Sequence, residues 1–316
     1  MKINSVCVLG GAGFIGSHVV QRLATLGLRV RVPTRRRERT KSLIVLPTVD
    51  VINADVHDPA TLERVIANCD AVINLVGILH EARTGDFSRV HTELPRKIVD
   101  ACRKTGVRRL LHVSALKAAH DAPSAYLRSK AEGEQQIRVA QASGMRTTIF
   151  RPSVIFGPED RFLNLFAQLA RSLPAIVLAC PNARFQPVYV EDIARAMVES
   201  LEMSRTYDQA YEICGPEVFT LQELVKYVCT LLGVDRPILP LNAEMSQFMA
   251  WVLEWSPIKI LSRDNYNSMK IDNVCDGPFP PVFGFSPSPL NAVVPSYLLD
   301  NAPRARSRSF RFRARH

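Results

Sequence analysis

The chain predicts an α/β fold, a doubly wound parallel sheet with a smaller C-terminal lobe. Three observations carry this. Apolar strand-like runs alternate with amphipathic helical stretches over the first 150 residues, the rhythm of a parallel sheet whose crossovers are helices. A turn punctuated by Gly10, Gly13 and Gly16, in VCVLGGAGFIGSHVV, joins the first strand to the first helix. Beyond Pro152 the rhythm loosens and prolines become frequent, which sets a second half apart.

In order, the pattern predicts a strand over Ser5–Leu9, a helix over 14–26, strands over 28–32 and Val49–Asn53, and a helix from Pro59 capped by Asp58. A nearly all-apolar strand over 71–76, a helix over 95–105, a strand over 109–114, a helix over 126–143 and a strand over 147–151 complete the first half. The second half reads as helices over 161–172, 190–203, 221–232 and 244–253, with short strands over 185–190 and 210–213. The expected division is 1–150 for a nucleotide-binding domain and 151–300 for a substrate or partner lobe that returns some strands to the sheet. Residues 301–316 are expected to form a basic, disordered tail.

Glycines spaced as Gly-x-x-Gly-x-x-Gly between a strand and a helix let backbone approach a pyrophosphate, turn sharply and pack helix on strand. The helix start then offers unpaired N–H groups and the positive end of a dipole. The turn therefore predicts a bound dinucleotide in a Rossmann domain.

The 316 residues are 47% hydrophobic and 22% charged, a globular composition. The net charge of +10 is concentrated, because six arginines and no acids lie in residues 301–316. No recognised nucleic-acid motif accompanies that charge, and no nucleic-acid partner is expected. The seven cysteines, at 7, 69, 102, 180, 214, 229 and 275, form no C-x-x-C pair and no cluster with histidines. They read as reduced, mostly buried thiols of a cytoplasmic protein with no metal site. No run approaches the ~20 apolar residues that cross a bilayer, so any membrane contact is expected from the surface, peripheral to the inner membrane.

The second strand ends in Val32-Pro33-Thr34-Arg35-Arg36-Arg37, with no acid before Glu38. Arginine there suits a 2′-phosphate, whereas an acid would suit a ribose hydroxyl, so NADP(H) is favoured over NAD(H). Asp55, with Val56 beside it, is placed either to meet the adenine or simply to cap a turn. Ser114 ends a strand, and Tyr126 and Lys130, four apart, share one face of the next helix. An ammonium beside a phenol lowers its pKa, a serine hydroxyl orients a substrate oxygen, and the tyrosine exchanges a proton. That set fits hydride transfer at a C–OH/C=O carbon.

The segments VLGGAGFIGSHVV, NADVHDP, VINLVGILHE, LLHVSA, SAYLRSKAEGE, RPSVIFGPEDRFLN, QPVYVEDIARA and YEICGPEVFTLQEL follow one another in this order. Together they resemble the atypical, extended short-chain dehydrogenase/reductases, NAD-dependent epimerase/dehydratase-like proteins that include the 39 kDa subunit of respiratory complex I and its bacterial relatives. The resemblance spans roughly residues 3 to 235 and continues more faintly to about Leu298. RPSVIFGPEDRFLN is its most group-specific stretch. It implies that Gly10, Gly13, Phe14, Ile15 and Gly16 touch the pyrophosphate, Arg35 and Arg36 the 2′-phosphate, and Val76 and Gly77 the ribose near the nicotinamide. Tyr126 and Lys130 would line the ribose and reaction centre, with Pro152, Ser153 and Val154 beside the nicotinamide. It also implies that the related complex I subunit holds NADPH without established turnover.

Two functions therefore stand side by side. One is an NADP(H)-dependent oxidoreductase or epimerase using Ser114, Tyr126 and Lys130 on a small-molecule substrate, apolar or quinone-like. The other is a nucleotide-holding accessory subunit or assembly factor of an NADH:quinone oxidoreductase. Met245, Phe248, Met249 and Val252 recur at helical spacing with Trp251 and Trp255. Residues 244–261 thus read either as a core helix or as a face for an apolar substrate, a respiratory-complex subunit or a bilayer. The Arg-rich tail suits an anionic membrane surface.

Overall fold

The computed structural model of the chain describes residues 2–254 and 261–299. Seven strands form one parallel sheet in the order Gln209–Ile213, Arg146–Pro152, Arg109–Val113, Ala71–Asn74, Ser5–Leu9, Arg29–Thr34, Val49–Asn53. The first strand is flanked by Arg29–Thr34 on one side and Ala71–Asn74 on the other, so the winding reverses beside it. Ligands of open α/β sheets bind in the crevice such a reversal leaves at the carboxyl ends of the strands.

Three helices show why the sequence folds this way. Phe14–Thr25 buries Val19, Val20 and Leu23, and its His18 Nδ1 lies 2.5 Å from Glu191 Oε1 at the start of helix Val190–Ser200. Pro59–Ile66 starts on Asp58, whose Oδ2 accepts the Thr61 N–H at 2.8 Å, and buries Leu62, Val65 and Ile66. Leu94–Thr105 buries Ile98, Val99 and Cys102 and stops at Gly106, whose left-handed φ of 78° suits a residue without Cβ. Each fully buried aliphatic side chain of this kind stabilises by about 1.5–3 kcal/mol.

The chain divides into two compact units. One comprises Met1–Pro152, Val190–Ile213 and Pro280–Phe285, and the other Ser153–Tyr189, Cys214–Phe279 and Ser286–His316. Strand Gln209–Ile213 thus pairs in the sheet although it follows much of the second half. In the first unit a buried arginine fastens the sheet to helix Val190–Ser200. Arg109 donates from Nη2 to the Ser200 carbonyl at 2.7 Å and from Nε to the Leu201 carbonyl at 3.1 Å, and its guanidinium lies 4.7 Å from the Tyr207 ring centroid.

The second unit packs helices Leu163–Ser172, Leu221–Leu232 and Leu290–Leu298 around Phe156, Leu224, Val225, Val228 and Val294. Its strands are short pairs, including Ile155–Phe156 with Val188–Tyr189 and Ile176–Leu178 with Ile238–Pro240. The strand expected over 185–190 is two pieces, Arg184–Phe185 and Val188–Tyr189, because Pro187 has no N–H to give a ladder. Asp160, buried, accepts from the backbone N–H of Phe162 at 2.8 Å and of Leu163 at 2.7 Å through Oδ1. Its Oδ2 accepts from Gly157 N at 3.0 Å and Tyr297 Oη at 3.1 Å. The cysteine expectation needs correction: Cys214 and Cys275, 61 residues apart with Cα atoms 6.1 Å apart, form a disulfide. Partners that distant leave no spacing signature in the sequence. Cys7, Cys69, Cys102, Cys180 and Cys229 are free thiols. Trp255 and residues 301–316 lie outside the described residues.

Candidate functional site

The glycine turn is built as its spacing requires. Gly10 has φ +80°, and a Cβ there would stand 2.9 Å from the Leu75 carbonyl carbon. A Cβ on Gly16 would fall on the Gly10 carbonyl oxygen and the Gly11 backbone, so only glycine lets the helix approach the strand. Gly13 is the N-cap of helix Phe14–Thr25, with no side-chain cap and no acid in the first turn. The N-terminal turn led by Phe14 and Ile15 is therefore an uncapped, positive helix end.

Arg35 and Arg36 follow strand Arg29–Thr34 directly and are exposed, with the Arg36 N–H donating to Thr34 Oγ1 at 3.3 Å. Asp55 uses Oδ1 to accept the His57 N–H at 3.0 Å, a turn role, and Val56 packs against the core. Val76 N–H donates to Asn74 Oδ1 at 3.2 Å. Gly77 lies beside two polar atoms: from the position of a Cβ, His91 Nε2 would be 3.6 Å and Lys130 Nζ 3.8 Å away. Pro152 ends its strand and accepts the Leu116 N–H at 3.0 Å. Ser153 and Val154 belong to the second unit, where Asn273 Oδ1 accepts from Ser153 Oγ at 2.6 Å and from Val154 N at 2.9 Å.

Ser114 stands one residue past strand Arg109–Val113 and is buried, yet its Oγ has no hydrogen-bond partner among the described residues. Helix Ala125–Gln141 starts on Ser124, whose Oγ accepts the Leu127 N–H at 3.2 Å. One turn in, Lys130 Nζ donates to the Val113 carbonyl at 2.8 Å, which holds the ammonium next to Ser114 in the chain. Burial pulls Lys130 down to about 8, against an opposing pull from Glu134. Tyr126, half-buried, is pushed up to about 12 by burial, the opposite direction from the lowering expected of a neighbouring ammonium. Desolvation of the phenolate is the cause of the rise.

Two histidines join this cluster. Residues Ser88–Glu93 form a π-helical turn that places His91 against Tyr126, ring centroids 5.5 Å apart, and stacks it on Phe87 at 5.4 Å. Ser129 Oγ donates its one proton to the Tyr126 carbonyl at 2.8 Å. His91 Nδ1, 2.9 Å from that oxygen, must therefore donate, while Nε2 accepts the Ile78 N–H at 3.1 Å. Both nitrogens are committed in a neutral ring, and burial with Lys130 nearby lowers its pKa to about 2. In the sheet, Asn74 Nδ2 donates to His112 Nδ1 at 3.0 Å, which puts the His112 proton on Nε2. That buried N–H has no partner among the described residues, and burial lowers the ring to about 3. His112 was visible as the one polar residue inside LLHV. His91 carried no sequence signal, because its turn lies outside every periodic segment.

The model of the NAD dependent epimerase/dehydratase family matches residues 6–214. The chain belongs to this family. NADH dehydrogenase (ubiquinone) 1 alpha subcomplex subunit 9, mitochondrial, of Mus musculus is 30% identical over 292 residues, 90% of this chain and 76% of its own length. The subunit of the same name from Dictyostelium discoideum is 33% identical over 225 residues, and the chain spans only 62% of that relative's length. A ceramide reductase of Caulobacter vibrioides is 34% identical over 194 residues, 61% of this chain and 59% of its own. Among solved structures, the UDP-glucose 4-epimerase of Thermus thermophilus in complex with NAD superposes with a TM-score of 0.62 at 22% identity, covering 84% of this chain and 99% of that one. The family member described here thus shares the Rossmann-like fold and is related to the 39 kDa complex I subunit. Among its described residues no group of three or more His, Cys, Asp or Glu side chains could hold a metal ion, and no helix is long and apolar enough to cross a membrane.

Proposed function

We propose that this chain binds NADP(H) and acts as an oxidoreductase or epimerase at a C–OH/C=O carbon of a small molecule, with Ser114, Tyr126 and Lys130 as its catalytic set. The observation that carries the reading is the buried, unpartnered Ser114 hydroxyl beside the carbonyl that anchors Lys130. A buried hydroxyl without a partner costs about 1–3 kcal/mol, a cost that architecture alone does not reward. A substrate oxygen would satisfy it.

The nucleotide's residues fit the same reading. Gly10, Gly13 and Gly16 leave a cradle that a Cβ would fill, and the uncapped helix end behind Phe14 and Ile15 suits a pyrophosphate. Arg35 and Arg36 would hold the 2′-phosphate, Val76, Gly77 and Lys130 the ribose of the nicotinamide half, and Asp55 with Val56 the adenine. Pro152, Ser153 and Val154 are assigned to the nicotinamide end. The nucleotide supplies hydride transfer when bound. Tyr126, at about 12, keeps its proton at neutral pH, so it stands as the proton donor of a carbonyl reduction. Ser114 donates to the substrate oxygen, and Lys130 supplies positive charge.

A second reading draws on the mouse relative, whose match extends over 90% of this chain. In it the chain is an accessory subunit or assembly factor of a respiratory NADH:quinone oxidoreductase, peripheral to the membrane on its cytoplasmic side, and holds the nucleotide without turnover. An apolar or quinone-like substrate belongs to the first reading and respiratory-complex subunits to the second.

Both readings share the nucleotide, and its choice is tested by titrating NADPH and NADH into wild type and an Arg35→Ala/Arg36→Ala variant. The expected result is NADPH preferred by wild type, with the preference lost in the variant through weaker NADPH binding. Equal affinities in wild type would contradict the NADP(H) assignment.

A further inference from the structure

Val76, Gly77 and Ile78 come just after strand Ala71–Asn74 and belong to no helix or strand, so neither a ladder nor a helix fixes them. Side chains do so instead. Val76 N–H donates to Asn74 Oδ1 at 3.2 Å, and Asn74 Nδ2 holds His112, its partner in register on strand Arg109–Val113, at 3.0 Å. Ile78 N–H donates to His91 Nε2 at 3.1 Å. The backbone is thereby pegged on both sides of Gly77, once from the sheet and once from the π-helical turn Ser88–Glu93.

The histidine peg is braced from behind. A ring nitrogen that accepts a backbone N–H carries no proton, so the proton of the neutral ring sits on Nδ1 and goes to Ser129 Oγ at 2.9 Å. Ser129 gives its own proton to the Tyr126 carbonyl at 2.8 Å. A Cβ on Gly133 would fall on the His91 carbonyl oxygen, so a glycine of helix Ala125–Gln141 is what lets the turn close onto that helix. Single π-helical turns are rare and concentrate at functional sites. His91 is 3% exposed, and both its nitrogens serve to join the Gly77 backbone to the helix of Tyr126 and Lys130. A leucine would fill the same space. Only a side chain with an acceptor on one edge and a donor on the other makes the join.

Resting on the nucleotide reading above, in which Val76, Gly77 and Lys130 take the ribose of the nicotinamide half, we infer that His91 is the positioning residue of that end. It sets the Gly77 backbone against the Lys130 ammonium so that one ribose meets both. His91 acts through Ile78 and Ser129, and the adenosine half, assigned to Arg35, Arg36, Asp55 and Val56, gains nothing from it.

The test titrates two ligands into the full chain by calorimetry: NADPH, which carries the nicotinamide ribose, and adenosine 2′,5′-bisphosphate, which lacks it. His91→Leu is expected to weaken NADPH on the order of tenfold and to leave adenosine 2′,5′-bisphosphate within about twofold of wild type. His91→Gln, whose carboxamide also offers one acceptor and one donor, recovers most of the NADPH affinity. Ser129→Ala removes only the brace and weakens NADPH less, with the same selectivity. Without nucleotide, the Ile78 amide exchanges slowly with deuterated water in wild type and faster in His91→Leu. Ser129→Ala carries the comparison if His91→Leu does not fold. Equal NADPH affinity in wild type and both of these variants would overturn the inference, as would a parallel loss of the two ligands or unchanged exchange at Ile78. In those outcomes wild type still binds NADPH and the nucleotide reading stands. Wild type that binds neither ligand would remove the reading and the inference together.

Discussion

Asp160 and Ser114 are both buried polar residues, one in each unit, and their surroundings differ completely. Asp160 accepts from backbone N–H groups of Gly157, Phe162 and Leu163 and from the Tyr297 hydroxyl, so its oxygens are satisfied by the chain itself. Ser114 has no side-chain partner among the described residues, and His112, two residues earlier on the same strand face, leaves its buried Nε2 equally unmatched. A buried polar group whose partners all come from the chain is architecture. One that the fold leaves unsatisfied calls for an explanation, and on the proposed reading a substrate oxygen supplies it for Ser114.

The largest separation between the two comes from removing each side chain. Asp160→Ala strands several buried N–H groups and is expected to destabilise the protein by about 3 kcal/mol, read as a lower urea midpoint. Ser114→Ala removes a buried hydroxyl that no neighbour satisfies, so stability should rise, by about 1–3 kcal/mol. A loss for Ser114→Ala as large as for Asp160→Ala would break the contrast. Gly16→Ala sharpens it from the nucleotide's side. The added methyl meets Gly10 and Gly11 backbone, so a stability loss of about 2 kcal/mol together with loss of nucleotide binding is expected, checked by thermal unfolding with and without NADPH.

Acid probes the two buried histidines of this cluster. His91 and His112 are held neutral in the fold, at about 2 and about 3, whereas the unfolded chain protonates them near 6.5. Their depressed values make the stability they contribute complete above pH 6.5 and lost as pH falls below it. The expected slope is on the order of 1 kcal/mol per histidine per pH unit, and His112→Asn should flatten it in urea unfolding between pH 7 and 5. The smallest effect is at the alkaline side. Lys130 loses its charge as pH rises through about 8, so NADPH affinity should weaken there by a few-fold, and the pH dependence should vanish in Lys130→Met.

What was legible in the sequence was local. The glycine turn, the cap at Asp58 and the i, i+4 pair Tyr126/Lys130 are written in a few adjacent residues, and they stand in the structure where the pattern put them. Strand ends moved by one or two residues, as with Arg29–Thr34 for 28–32, because a strand's limits depend on its neighbours in the sheet. The rest depends on distant partners. Asn273 reaches Ser153 and Val154 across 120 and 119 residues, and Gln186 bonds both Gly215 and Cys275, the second 89 residues away. The cysteines of the disulfide are 61 residues apart. Within RPSVIFGPEDRFLN, Asp160 ties down the start of helix Leu163–Ser172. The phenol of Tyr126 rises rather than falls because its degree of burial, set by Phe87 and His91 from another segment, is absent from helical spacing.

The most direct measurement follows NADPH absorbance at 340 nm with purified protein as carbonyl and quinone substrates are added, comparing wild type with Tyr126→Phe and Ser114→Ala. The account predicts oxidation of NADPH by wild type and a loss on the order of a hundredfold or more in both variants, with NADPH binding retained. Firm NADPH binding that no carbonyl or quinone discharges, in wild type and variants alike, would contradict catalysis by Ser114, Tyr126 and Lys130 and leave the accessory-subunit reading in its place.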